Sequence, residues 1–410
     1  MKHRCKFMLI VFMLAGTMDL PACTTIIISG KATKDGRPLM WKSSDTENPR
    51  HSLVYCDSAG FPLLGIVRNS SARINTANIW AGTNAYGFCI INTLSYNLTE
   101  NRVSSRNGAL MRKALEICKN MHDFKHFLDT LPRPMKVEAN YGVIDAEGNA
   151  AYFETCSDGY DMVDVNDPRI APNGYLVYTN FSRTGFYDRG EGYIRYQTAM
   201  NLAGRQTPSK DFSPQWIFNI LARSYYHFLL DIDYTDKNVT EIYKNGYIYD
   251  LDLIPRNSTA SATVFHGVKE GENPELTVMW TALGYPPVSV ALPAWVAAGN
   301  DNPEILLRKK DDKSSQMCEW AETLKNTLYD VKRGHGLSYI RFSKVFNSEG
   351  TGYMQLLQPI ENRVFETFNP LIKKWRHAGT PNREEIKSKG KEICHIVEQA
   401  YTTIINNLQQ

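Results

Sequence analysis

The run Cys23-Thr24-Thr25-Ile26-Ile27-Ile28-Ser29-Gly30, followed by Lys34-Asp35-Gly36 and then by Leu39 to Ser43, decides how this chain is read. β-Branched residues fill the first segment, Lys-Asp-Gly supplies turn chemistry, and the second segment returns, so a hairpin is predicted with Cys23 at its open end. Upstream, Lys2, Arg4 and Lys6 make a basic start, Phe7 to Leu14 an unbroken apolar stretch, and small Ala22 precedes the cysteine. This is a three-region secretory layout whose apolar part is too short to span a bilayer. The expectation is a signal peptide over 1–22, and a mature chain, exported to a periplasmic or extracellular setting, that begins at Cys23. A first-position cysteine carries thiol and α-amine on one residue, and an amine with an ordinary pKa of about 8 can act as the thiol's base. A rival reading of Leu20-Pro21-Ala22-Cys23 is a lipid-attachment box, giving a non-catalytic protein anchored at Cys23.

The 410 residues are ample for a large core. With 22% charged residues and a formal net charge of +3, nothing suggests a nucleic-acid surface or a polybasic membrane anchor. No apolar run beyond the leader predicts a membrane span. Seven of the eight cysteines follow the leader peptide, an odd number that fits one free thiol with up to three disulfides, or seven unpaired thiols. There is no CxxC and no clustered Cys/His spacing, so neither a metal nor another cofactor is expected.

Strand and turn signals continue to about residue 95, with pairs at 53–56 and 62–67 and at 77–82 and 87–92. A helix is predicted over 108–131. Strands follow at 139–145, 149–155, 160–165 and 175–180, then a helix over about 211–229, strands at 261–267 and 275–281, and a short strand at 288–291. From about 302 the composition turns polar and helical, ending in an amphipathic helix over about 382–408. Strand groups with helices between and after them predict antiparallel sheets covered by helices.

The second strand ends in Trp41-Lys42-Ser43-Ser44-Asp45, one hairpin away from Cys23. Lys42 and Asp45 there could orient the amine and thiol, but strict alternation puts them on opposite faces unless the strand bends or ends between them. The nine histidines show no catalytic spacing, although the partners of a Cys–His protease need meet only in space.

The start Cys-Thr-Thr-Ile-Ile-Ile-Ser-Gly, the Lys-Asp-Gly turn and Lys-Ser-Ser-Asp-Thr-Glu together resemble the N-terminal-nucleophile hydrolases of the choloylglycine hydrolase and penicillin V acylase group. They resemble still more closely the acyl-coenzyme A:isopenicillin N acyltransferase group. The resemblance makes Cys23 the nucleophile and Asp45 the aspartate of an Arg-x-x-Asp strand end, with Lys42 where the bile-salt enzymes have arginine. Asn84-Ala85-Tyr86-Gly87-Phe88 resembles the family's turn leading to an oxyanion-hole residue, here Asn92, which donates through its backbone. Tyr178-Thr179-Asn180 resembles the Thr-Asn whose side-chain amide completes that hole. Tyr193-Ile194-Arg195-Tyr196 resembles the family's arginine and aromatic pair, with Arg189 as the alternative match. The resemblance implies a four-layer αββα sandwich over 23–410, α+β in class, with 302–410 a mainly helical part. It implies hydrolysis of a linear amide in a small molecule through a thioester, and leaves open acyl transfer, dipeptide cleavage, the substrate and a homo-oligomeric state.

Overall fold

A computed structural model describes residues 22–69, 76–99, 106–239, 246–309 and 312–408. Apart from Ala22, the expected leader lies outside them. Ten strands precede the middle of the chain: β1 Cys23–Ile28, β2 Leu39–Asp45, β3 His51–Cys56, β4 Leu63–Arg68, β5 Ala81–Asn84, β6 Cys89–Leu94, β7 Ala139–Ile144, β8 Ala150–Thr155, β9 Tyr160–Asp164 and β10 Tyr175–Tyr178. Seven follow: β11 Tyr226–His227, β12 Ile232–Asp233, β13 Tyr247–Tyr249, β14 Thr259–His266, β15 Val278–Leu283, β16 Leu292–Ala294 and β17 Tyr339–Arg341. β3 to β9 form one antiparallel sheet in chain order, and β10-β1-β2-β14-β15-β16 form the other.

The two sheets lie face to face because their strands are apolar on both sides. All six residues of β1 are buried, as are all seven of β2. Burying each of Ile26, Ile27 and Ile28 contributes roughly 1.5–3 kcal/mol. Tyr152 of β8 crosses the gap, its hydroxyl donating to Thr25 Oγ1 at 3.0 Å. Gly142 lets the sheets approach: a Cβ there would stand 2.9 Å from Ile91 and 3.1 Å from Ile27. Helices α1 (Asn107–Ile117) and α2 (Met121–Thr130) pack on the outer face of the seven-stranded sheet. The other sheet is covered by α3 (Tyr193–Gln206), by α4 (Pro214–Trp216) with the π-helical turn Ile217–Ala222 that continues it, and by α5 (Gln316–Leu328), α6 (Tyr353–Ala378) and α7 (Arg383–Asn406). Helix, sheet, sheet, helix is the four-layer αββα order expected from sequence.

Several elements differ from their predicted extent. The helix expected over 108–131 is two, because Cys118 is extended and Asn120 caps a new start, its side chain accepting from the Asp123 N–H. The helix expected over 211–229 ends at Ala222, after which β11 and β12 pair. The strand expected at 288–291 is displaced to β16, since Pro286–Val288 forms a 3₁₀ turn first. α3 carries no side-chain cap, only Gly192 at φ 82°, and α6 contains Pro359 and Pro370, so neither helix announces itself in sequence. Among the described residues the seven cysteines are all free.

Candidate active site

Cys23 is the first residue of β1, between β10 and β2, and is 5% exposed. The β1–β10 register pairs Thr25 with Tyr178, so two residues further along the chain Asn180 arrives opposite Cys23. Asn180 Oδ1 accepts from the Cys23 N–H at 3.1 Å and from Arg195 Nη2 at 3.0 Å, and Asn180 Nδ2 donates to the Leu94 carbonyl. Arg195, in the first turn of α3, also donates from Nη1 to the Cys23 carbonyl at 2.9 Å and to Thr24 Oγ1 at 2.8 Å. The nitrogen and carbonyl of Cys23 are thus both gripped from the chain beyond β10. Burial, and then the neighbouring Arg256, push the Arg195 guanidinium down to about 10.

Lys42 lies across from Thr25 in β2 and is fully buried. Its ammonium donates to Asn92 Oδ1 at 2.7 Å and to the Trp80 carbonyl at 2.8 Å, both neutral acceptors on the opposite sheet. Burial pushes it down to about 8, and nearby Cys23 and Asp45 oppose that fall. Asp45 ends the same strand. Its Oδ2 takes Arg256 Nη2 at 2.7 Å and Nε at 3.1 Å, and its Oδ1 accepts from Thr259 Oγ1 at 2.6 Å. The ladder with β14 slips between Thr259 and Ser261, opposite Ser44 and Asp45, and the extra residue lies in β14. Burial alone would depress the Arg256 guanidinium, yet the contact with Asp45 holds it above its ordinary value.

The structure therefore gathers three hydrogen-bonded groups at one end of β1 and β2, Cys23 with Asn180 and Arg195, Lys42 with Asn92, and Asp45 with Arg256, close enough that Cys23 and Asp45 influence both Lys42 and Arg195. Arg189 belongs to none of them and stacks instead on Phe186. Arg256, Thr259, Arg68 and Trp80 belong to the cluster or its surroundings and carry no sequence motif. No histidine is hydrogen-bonded to Cys23 among the described residues. His51 is buried, contacts Ser261 Oγ at 3.0 Å, and is held well below its ordinary value by burial and by Arg68 and Lys42.

Beside the Ala22–Cys23 junction lies a cavity of about 70 Å³, lined by Ala22, Glu191, Asp250, Arg256 and Asn257 among others. Roomier hollows, of about 280 and 450 Å³, sit at the far end of β1 around Ser29 and Lys31 and share no residue with the cluster. Asp250 accepts from Tyr329 OH at 2.6 Å and from the Asn257 N–H at 2.7 Å, and Tyr285 and Tyr225 extend the chain of hydroxyls. Burial pushes Asp250 up to about 7 against those hydrogen bonds. An unfolded aspartate titrates near 4, so between about pH 4 and pH 7 the folded chain holds the extra proton. The stability from that proton is fully present below about pH 4 and is lost as pH rises through 7, on the order of a few kcal/mol. Thermal melts of wild type and Asp250→Asn should show the wild type gaining on the variant between pH 8 and pH 5; a constant difference would refute the assignment.

Among the described residues, no group of three or more His, Cys, Asp or Glu side chains is arranged to hold a metal ion, and no helix is long and apolar enough to cross a membrane.

Residues 44–207, about two fifths of the chain, match the family model described as acyl-coenzyme A:6-aminopenicillanic acid acyl-transferase. No curated protein matches the sequence significantly. Similar solved structures include a variant of the conjugated bile acid hydrolase from Clostridium perfringens, at 11% identity and TM-score 0.42, covering 71% of this chain and 95% of that one. The Caenorhabditis elegans ortholog of N-acylethanolamine-hydrolyzing acid amidase is 14% identical with TM-score 0.37, over 60% and 92% of the two chains. Penicillin V acylase from Agrobacterium tumefaciens is 11% identical with TM-score 0.38, over 67% and 86%.

Proposed function

We propose that this member of the N-terminal-nucleophile hydrolase superfamily is an amidohydrolase that cleaves a linear amide with Cys23. The observation that carries this reading is the grip on Cys23: Asn180 Oδ1 on its nitrogen and Arg195 on its carbonyl, beside buried Lys42. Once residues 1–22 are removed, that nitrogen is a free amine oriented by Asn180. The amine takes the thiol proton, and the sulfur attacks the substrate carbonyl. The C–N bond then breaks, the leaving amine departs with the proton, and a thioester remains on Cys23. Water attacks the thioester, releasing the acid and restoring the thiol. Asn180 Nδ2, which keeps a second hydrogen beyond its bond to Leu94, and the backbone of Asn92 supply oxyanion donors. Lys42, charged below about pH 8, favours the thiolate. Export would place this chemistry outside the cytoplasm.

The family match favours a second outcome of the same steps, in which an amine instead of water takes the acyl group. Intact-mass analysis of the exported protein tests the shared reading. The expected mass lacks residues 1–22, and brief incubation with a panel of N-acyl amides followed by acid quenching adds one acyl group on Cys23. An intact Met1 or a lipid on Cys23 would refute it.

A further inference from the structure

The β1–β2–β14 registers set Cys23, Ser44 and Ser261 in one row, and residues directly opposite in a ladder share a face. His51, from the other sheet, contacts Ser261 Oγ at 3.0 Å, so this row faces the space between the sheets. His51 is in turn opposite Arg68 in the β3–β4 ladder. The Arg68 guanidinium lies 3.8 Å over the Trp80 ring, whose backbone carbonyl receives Lys42. Within this patch, Ser44 Oγ, His51 Nε2 and Arg68 Nε are buried with no hydrogen-bond partner among the described residues. Buried polar atoms are ordinarily satisfied, and three orphans next to one nucleophile mark a place built for a ligand group.

The chemistry of the orphans identifies that group. A hydroxyl and a guanidinium donate, and a neutral imidazole does so from Nε2 in the tautomer whose Nδ1 accepts from Ser261. The local charge is also unbalanced. Among the described residues, Lys42 and Arg195 hydrogen-bond only to neutral acceptors, Arg68 has no carboxylate partner, and the Asp45 carboxylate is taken by Arg256. An acceptor-only anion answers both deficits. We propose that Arg68, Ser44 and His51 form a cradle for a carboxylate of the substrate, so that the amide cleaved at Cys23 belongs to a molecule with a carboxylate near the scissile bond, such as an N-acyl amino acid. This rests on the reading of Cys23 as the nucleophile.

Alkylation of the mature protein separates the two claims without knowledge of the substrate. Iodoacetate and iodoacetamide each lose iodide to the thiolate sulfur and differ in charge. Rates at Cys23, followed by peptide mass to set aside Cys56 and Cys156, give a ratio to compare with that of free cysteine. The expected ratio of iodoacetate to iodoacetamide is at least tenfold above the free-cysteine value. Arg68→Gln should return it to that value, Arg68→Lys should retain part of it, and Ser44→Ala should lower it at least threefold should Arg68→Gln fail to fold. Alkylation with no charge preference, or a ratio that these variants leave unchanged, overturns the cradle alone. Failure of both reagents to modify Cys23 overturns the nucleophile and the cradle together.

Discussion

Cys23→Ala is expected to lower kcat by about 10⁴- to 10⁶-fold, the range seen when a covalent nucleophile is deleted from a working site. The loss should come from chemistry alone, since the change removes one sulfur from a residue at the very start of β1 and leaves the backbone bonds from Asn180 and Arg195 available. The four most deeply buried of the remaining thiols cannot substitute. Cys89, Cys118 and Cys318 are pushed up to about 12 by burial, and Cys394 to about 11, so they remain protonated and unreactive at any physiological pH. Steady-state kinetics on whichever amide the exported protein turns over, with circular dichroism to confirm folding, measures this. Residual turnover within a hundredfold of wild type would show that Cys23 is not the nucleophile.

Asp45→Ala should cost about 3–5 kcal/mol of stability, the usual penalty for stripping one partner from a buried ion pair. The carboxylate is 1% exposed and Arg256 9%, so the stranded guanidinium cannot turn to water without moving the segment that carries it. Thr259 loses its acceptor in the same step. The double variant Asp45→Leu with Arg256→Met should recover most of the loss, because an apolar pair of similar volume no longer leaves a buried charge alone. Urea unfolding of the single and double variants distinguishes the outcomes. Should Asp45→Ala cost less than about 1 kcal/mol, the pair would be a solvated contact and not a strut beneath the site.

Sheet architecture was largely legible because the signals are local: an apolar run such as Ile26-Ile27-Ile28, or a turn such as Asn84-Ala85-Tyr86-Gly87, states its conformation over a few residues. Asn180 and Arg195 were singled out by resemblance to family motifs and not by physics, and the structure places both against Cys23. What escaped the sequence was pairing across long separations. Arg256 meets Asp45 at a distance of 211 positions, and nothing in Ile254-Pro255-Arg256-Asn257 marks it as the partner of a β2 carboxylate. Arg68 reads as the polar end of a strand until Trp80 and His51 are seen beside it. The alternating pattern separates Lys42 from Asp45, and their partners are separate too: Lys42 bonds to Asn92 and Trp80, Asp45 to Arg256 and Thr259.

Strand β14 has a bearing on how the chain divides. The family match ends at residue 207, whereas β14 begins at Thr259 and fills the position next to β2 in the six-stranded sheet. A fragment cut at the end of the match would keep Cys23, Asn180 and Arg195 but leave β2 as a bare edge, with a row of open backbone donors and acceptors and the Asp45 carboxylate buried without its cation. The matched stretch, which begins at residue 44 and so leaves out Cys23 and Lys42, is therefore not an excisable unit: the sheet end at Asp45 and Asn180 is completed by sequence on both sides of it.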